Sequence, residues 1–136
     1  MQRRARGAPA TARLRAWARA AARPGAEITL RVVGRAEARL LNRMFRRRDY
    51  ATNVLSFSYS RSQGDIVLCH PVIRREARAQ RKALAAHYAH LVVHGMLHLR
   101  GHDHLRRADA AHMERAEIRV LRRLGFGDPY RAAPGR

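Results

Sequence analysis

Cysteine is almost missing from this sequence: Cys69 is the only one in 136 residues. That excludes an intramolecular disulfide, and it excludes a structural zinc site built from several thiolates. No apolar run of signal-peptide or membrane-span length occurs in residues 1–22, so a soluble cytoplasmic protein without a membrane partner is expected. Acids are scarce as well: ten Asp and Glu stand against 29 Lys and Arg, a formal net charge of +19. Even lysine is nearly absent, because 28 of the 29 cations are arginines. Such a balance points to a polyanionic partner, since each neutralised phosphate releases counterions and the arginine fork matches phosphate oxygens. A genome-wide arginine bias produces part of the same excess, so charge indicates nucleic acid and says nothing of chemistry. Residues 1–22, Arg-rich and free of acids, also have the composition of a mitochondrial-type presequence, the lesser alternative.

What is present is organised as one domain. The length suits a single core. Residues 1–10 are basic, contain Gly7 and Pro9, and read as a disordered arm; residues 131–136 read as a disordered tail. Thr11 is positioned to cap a helix with the stripe Leu14, Trp17, Ala18 and Ala21, ended by Pro24-Gly25. Alternation of Ile28, Leu30 and Val32 with Thr29 and Arg31 predicts a half-buried strand. A second helix follows Gly34, with Leu40, Leu41, Met44 and Phe45 on one face. Thr52 to Tyr59 and Asp65 to Leu68 predict a hairpin, and Pro71 opens a helix reaching roughly Arg81. A longer helix spans Leu84 to Leu99, and a last one Arg107 to Leu124, where Gly125 is the expected cap. The order predicts a small α+β domain over residues 11–130, with helices packed on one mixed sheet.

All eight histidines lie in the second half. His94 and His98 are four residues apart, so on a helix they share a face and can direct two imidazoles at one ion. Gly101 can end that helix in a left-handed turn and bring His104 alongside. Three imidazoles with an open vertex make a catalytic rather than a structural zinc site, with one Zn2+ per chain expected. His87 and His90 fall in the same stripe, His90 as an occasional ligand; His87, His102 and His112 are weaker candidates. Asp103 is either an acceptor orienting an imidazole or a turn residue. Gly95 stands where the H-E-x-x-H zinc proteases carry their glutamate base, which disfavours that kind of proteolysis.

The run His94 through His104 resembles the signature H-G-x-L-H-L-x-G-[YH]-D-H of the YbeY family of bacterial endoribonucleases. Glu27 to Val33, Asn42 to Asp49, Thr52 to Phe57, Gly64 to Val67, Ala86 to Gly95 and Gly125 to Tyr130 follow in family order, so the resemblance covers roughly residues 27–130. It implies a zinc-dependent, single-strand-specific endoribonuclease acting in maturation of the 16S ribosomal RNA 3′ end and in ribosome quality control. Single-stranded RNA, ribosomal RNA and the small ribosomal subunit are the implied partners, with no small-molecule cofactor. It also implies His94, His98 and His104 as zinc ligands and Arg46 as a functional arginine beside them. Members usually begin with an apolar edge strand; Gln2 to Gly7 stand there instead, so one strand fewer is expected. Ser58 stands where proline is common, and Leu105-Arg106-Arg107 replaces an acidic stretch. Two other classes fit the residues: a non-catalytic ribosome-assembly factor stabilised by zinc, and a metal hydrolase with a non-RNA substrate. Either water or the 2′-hydroxyl could serve as nucleophile, and Tyr50, Phe57 and Tyr59 are stacking surfaces or, with more weight, core residues.

Overall fold

The computed structural model describes residues 2–3, 7–100 and 107–131. Its elements run β1 (Gln2–Arg3), α1 (Thr11–Ala21), β2 (Glu27–Val33), α2 (Arg35–Arg46), β3 (Val54–Ser58), β4 (Gln63–Cys69), α3 (His70–Ala79), α4 (Leu84–Leu99) and α5 (Arg107–Arg123). The strands form a mixed sheet ordered β1-β2-β4-β3, parallel except for the antiparallel β3–β4 hairpin. This is the α+β arrangement expected.

Strand alternation sorts the side chains. Leu30, Val32, Ile66 and Leu68 join the larger cluster with the buried stripes of α1, α4 and α5. Val33, Leu55, Val67 and Cys69 take the opposite face, where Ala38 of α2 and Val72 of α3 cover them. Helix α4 is the most deeply set. Tyr88, Val92 and Val93 are fully buried, each large apolar side chain contributing about 1.5–3 kcal/mol by leaving water. Gly95 lets α4 approach the sheet, because a Cβ there would lie 3.1 Å from both Ile66 Cδ1 and Ser56 Oγ.

Three expectations are corrected. Gln2 and Arg3 pair with Arg31 and Val32, so the sheet keeps a short edge strand where one fewer was expected. Edge pairing uses backbone groups and does not require apolar side chains. Ala10, not Thr11, occupies the N-cap position of α1, and no side chain caps it. Most of the apolar face of α2 turns outward: Leu40, Met44 and Phe45 are exposed, Leu41 packs half-buried on the smaller cluster, and Ala38 and Asn42 are the buried residues. The small Ala38 permits close packing on the sheet, and buried Asn42 is retained by its hydrogen bonds.

Candidate metal centre and phosphate cleft

The site is assembled from the end of α2, the loop after it, β3 and α4. Helix α2 ends with Arg47 in the left-handed region (φ 57°), and the Arg48 N–H donates back to the Asn42 carbonyl at 3.3 Å. The Asn42 side-chain amide donates to the Tyr50 carbonyl at 2.9 Å, and Arg39 forks onto the Asp49 carboxylate at 2.8 and 3.0 Å. These bonds fold residues 47–50 back against the helix. Arg46 is thereby directed along β3: its guanidinium donates to the Ser56 carbonyl at 2.7 Å and lies 5.8 Å from the Phe57 ring.

Arg46, Arg48, Tyr50, His94 and His98 line one open cleft of about 280 Å³. Two calls about this region need amendment. Tyr50 is exposed, as is Tyr59, so neither is the core residue that carried more weight; only Phe57 is partly buried. Arg48, which sequence reasoning did not single out for the cleft, lines it. His104 lies outside the described residues, as do Gly101, His102 and Asp103, and among the described residues no three histidine, cysteine, aspartate or glutamate side chains are arranged so that they could hold one metal ion.

The residue that sequence reasoning missed is Glu117. It lies on the buried stripe of α5 between Met113 and Leu121 and is itself fully buried. One carboxylate oxygen receives the His90 Nε2 proton at 2.9 Å and the Tyr130 hydroxyl; the other receives the His94 Nδ1 proton at 2.6 Å. Burial by itself raises a carboxyl pKa, yet the hydrogen bonds from His90, His94 and Tyr130 hold this one down at about 2. The same buried contact pushes the Tyr130 hydroxyl well above its ordinary pKa, burial first and Glu117 second. The signal was present in the sequence: a carboxylate at a core position of a strongly basic chain must be paired.

Glu117 matters for metal chemistry because it fixes a tautomer. With the proton on Nδ1, the lone pair of His94 resides on Nε2, the form in which imidazole ligates a divalent ion. His94 and His98 therefore form a donor set that fits zinc. His90 is committed to Glu117 through its Nε2. His87 is occupied elsewhere, bonded at 2.8 Å to Glu76, which also receives Asn53. His70 pairs with Tyr88 at 2.7 Å, and His112 is exposed on α5.

Fold and cleft together define a small α+β protein whose histidines suit a divalent metal and whose arginines suit an anion. The comparisons with known proteins narrow that class. A family model described as Endoribonuclease YbeY matches residues 9–125, and the chain belongs to that family. Endoribonuclease YbeY of Aromatoleum aromaticum is 56% identical over 125 residues, 90% of this chain and 81% of the relative. The Bordetella pertussis protein of the same name is 57% identical over 114 residues, 80% of this chain and 73% of the relative. The solution structure of a Thermotoga maritima protein matches with a TM-score of 0.63 at 22% identity, over 100% of this chain and 99% of that one, a likeness of fold. No helix among the described residues is long and apolar enough to cross a membrane.

Proposed function

We propose that the chain is a zinc-dependent, single-strand-specific endoribonuclease of the cytoplasm. Its proposed task is maturation of the 16S rRNA 3′ end and ribosome quality control, with ribosomal RNA and the small subunit as partners. One observation carries the chemistry: His94, its tautomer set by Glu117, shares a cleft with His98, Arg46 and Arg48. Membership in a family described as endoribonucleases supports RNA as the substrate.

His94, His98 and His104 are the proposed zinc ligands. Zinc held by them would supply Lewis acidity at neutral pH without redox chemistry. Arg46 and Arg48 bind the phosphate and neutralise the charge that builds on it during phosphodiester cleavage. Arg46 is preoriented for this by its bond to the Ser56 carbonyl, so little reorganisation accompanies the reaction. Tyr50, exposed on the same cleft, offers a ring on which an unpaired base can stack, and a duplex cannot present one. Gly95 packs against Ile66 and Ser56 of the sheet, so no glutamate base of the protease kind is aimed from that position.

The test is elemental analysis of the purified protein together with a panel of single-stranded RNA, duplex RNA and peptide, each with and without chelator. About one zinc per chain and chelator-sensitive cleavage of single-stranded RNA alone are expected. Metal without cleavage, accompanied by zinc-dependent melting, identifies an assembly factor. Cleavage of another substrate identifies a different hydrolase.

A further inference from the structure

A second concavity lies away from the histidine cleft, between the start of α4 and the segment that follows α5. Its volume is about 590 Å³, and Ala86, Leu121 and Phe126 give it an apolar floor while Arg81, Lys82 and Arg131 supply three cations. The single acid on its wall, Asp128, already accepts the Tyr130 backbone N–H at 2.8 Å. Lys82 is the only lysine of the chain, and its ammonium donates to the Pro129 carbonyl at 2.8 Å, across the cavity wall. Burial lowers its pKa, with Asp128 and Glu76 acting in opposition.

Arg81 is held with φ at 55°, a conformation that an L residue adopts at a cost. The Lys82 N–H donates to the Ala77 carbonyl at 2.9 Å, closing the end of α3 around that residue. This turn sets Arg81 on the rim of the cavity, where its side chain is exposed. An apolar floor edged by cations is the chemistry of a nucleotide: a base against Ala86 and Phe126, a phosphate against Arg81, Lys82 and Arg131.

The cavity is also connected to the histidines. Tyr130 lies between Pro129 and Arg131 of its wall, and its ring meets His90 edge to face at 5.3 Å. Along α4, Ala86 precedes His94 by eight residues, about 12 Å of helix. We infer that this cavity is a second RNA subsite, holding one nucleotide of the strand whose scissile phosphate occupies the cleft of Arg46, His94 and His98. The subsite rests on the RNA-hydrolase reading above and adds to it a preference for substrates long enough to span both places.

The experiment compares the wild type with the double variant Arg81→Glu/Arg131→Glu, both exposed residues, and with a charge-matched control, Arg122→Glu/Arg123→Glu, outside the cavity. Binding and single-turnover cleavage are measured on a single-stranded dodecanucleotide and a trinucleotide, and each protein is titrated with uridine 5′-monophosphate, uridine or inorganic phosphate by NMR. The cavity variant should bind the dodecanucleotide about tenfold more weakly, with a shallower salt dependence, and cleave at the same saturating rate. The trinucleotide should be unaffected. Uridine 5′-monophosphate should shift the Phe126 and Gly127 amides of the wild type and not of the cavity variant, with weaker effects from uridine or phosphate. Equal losses for both RNAs, or the same loss in the control variant, reduce the cavity to general charge and overturn the subsite. Shifts from the free nucleotide with no effect on the dodecanucleotide also overturn it, in favour of a free nucleotide as ligand. Failure of the wild type to cleave any RNA overturns the RNA-hydrolase reading instead.

Discussion

Replacing Glu117 by glutamine changes one atom and leaves the shape of the core intact, so it isolates the hydrogen-bonding role of the carboxylate. The oxygen shared by His90 and Tyr130 is best kept as the amide oxygen, which places the new NH2 against His94 Nδ1. Two donors then face each other. Either His94 loses its partner, leaving a buried donor unsatisfied at about 1–3 kcal/mol, or the ring shifts its proton to Nε2 and can no longer ligate metal. Both routes weaken zinc binding, by roughly 10- to 100-fold for a residue that orients a ligand. The assay is competitive titration of zinc against a chelating indicator, beside a melting curve of the metal-free protein. Metal-free Glu117→Gln should remain folded, and its zinc affinity should fall while the stoichiometry stays the same. If Glu117→Gln binds zinc as tightly as the wild type while His94→Ala does not, the tautomer has no bearing on affinity. If the wild type takes up no zinc, the metal centre itself is wrong.

Arg46→Ala should slow single-turnover cleavage by about a hundredfold to a thousandfold, some 3–4 kcal/mol, without altering zinc content, and Arg46→Lys should recover part of the rate; an unchanged rate would remove Arg46 from the chemistry. Gly64→Ala should destabilise the fold by about 1–3 kcal/mol in a urea titration, because its Cβ would sit 2.7 Å from the Phe57 carbonyl oxygen of the hairpin partner. Stability of the metal-free protein should fall as pH drops. Burial lowers the pKa of His70, with Arg74 adding to it, and that of His87 despite Glu76, so below about 6.5 the unfolded chain binds protons that the native one does not. The contribution is complete above that pH and is lost toward the folded values. Melting points at about pH 7.5 and about pH 5.5 check this, and His70→Gln should reduce the difference.

Much of the architecture was legible because burial repeats with the helical or strand period. Leu14, Trp17, Ala18 and Ala21 mark α1, and the extent of α4 follows from its apolar length and the glycine beyond it. The α2 face misled for a physical reason: period 3.6 shows that apolar residues share a side, not that the side is covered. Leu40, Met44 and Phe45 share one and meet solvent. For the site, the spacing of His94 and His98 was readable because both residues belong to one helix. Glu117 was not, because its partners His94 and His90 lie 23 and 27 residues away, and only the packing of α5 on α4 brings them together. The cavity at Lys82 escaped for the same reason, since Arg81, Leu121 and Arg131 meet only in three dimensions.

The threefold anchorage of Glu117 has a consequence for how the protein is made. Synthesis proceeds from the N-terminus, so the histidines of α4 leave the ribosome before their carboxylate exists, and the Tyr130 hydroxyl follows Glu117 by another 13 residues. Until then His94 has no fixed tautomer and the cavity has no outer wall. A chain that stops short of Tyr130 thus carries the histidines of the cleft without the full set of hydrogen bonds that orders them through Glu117.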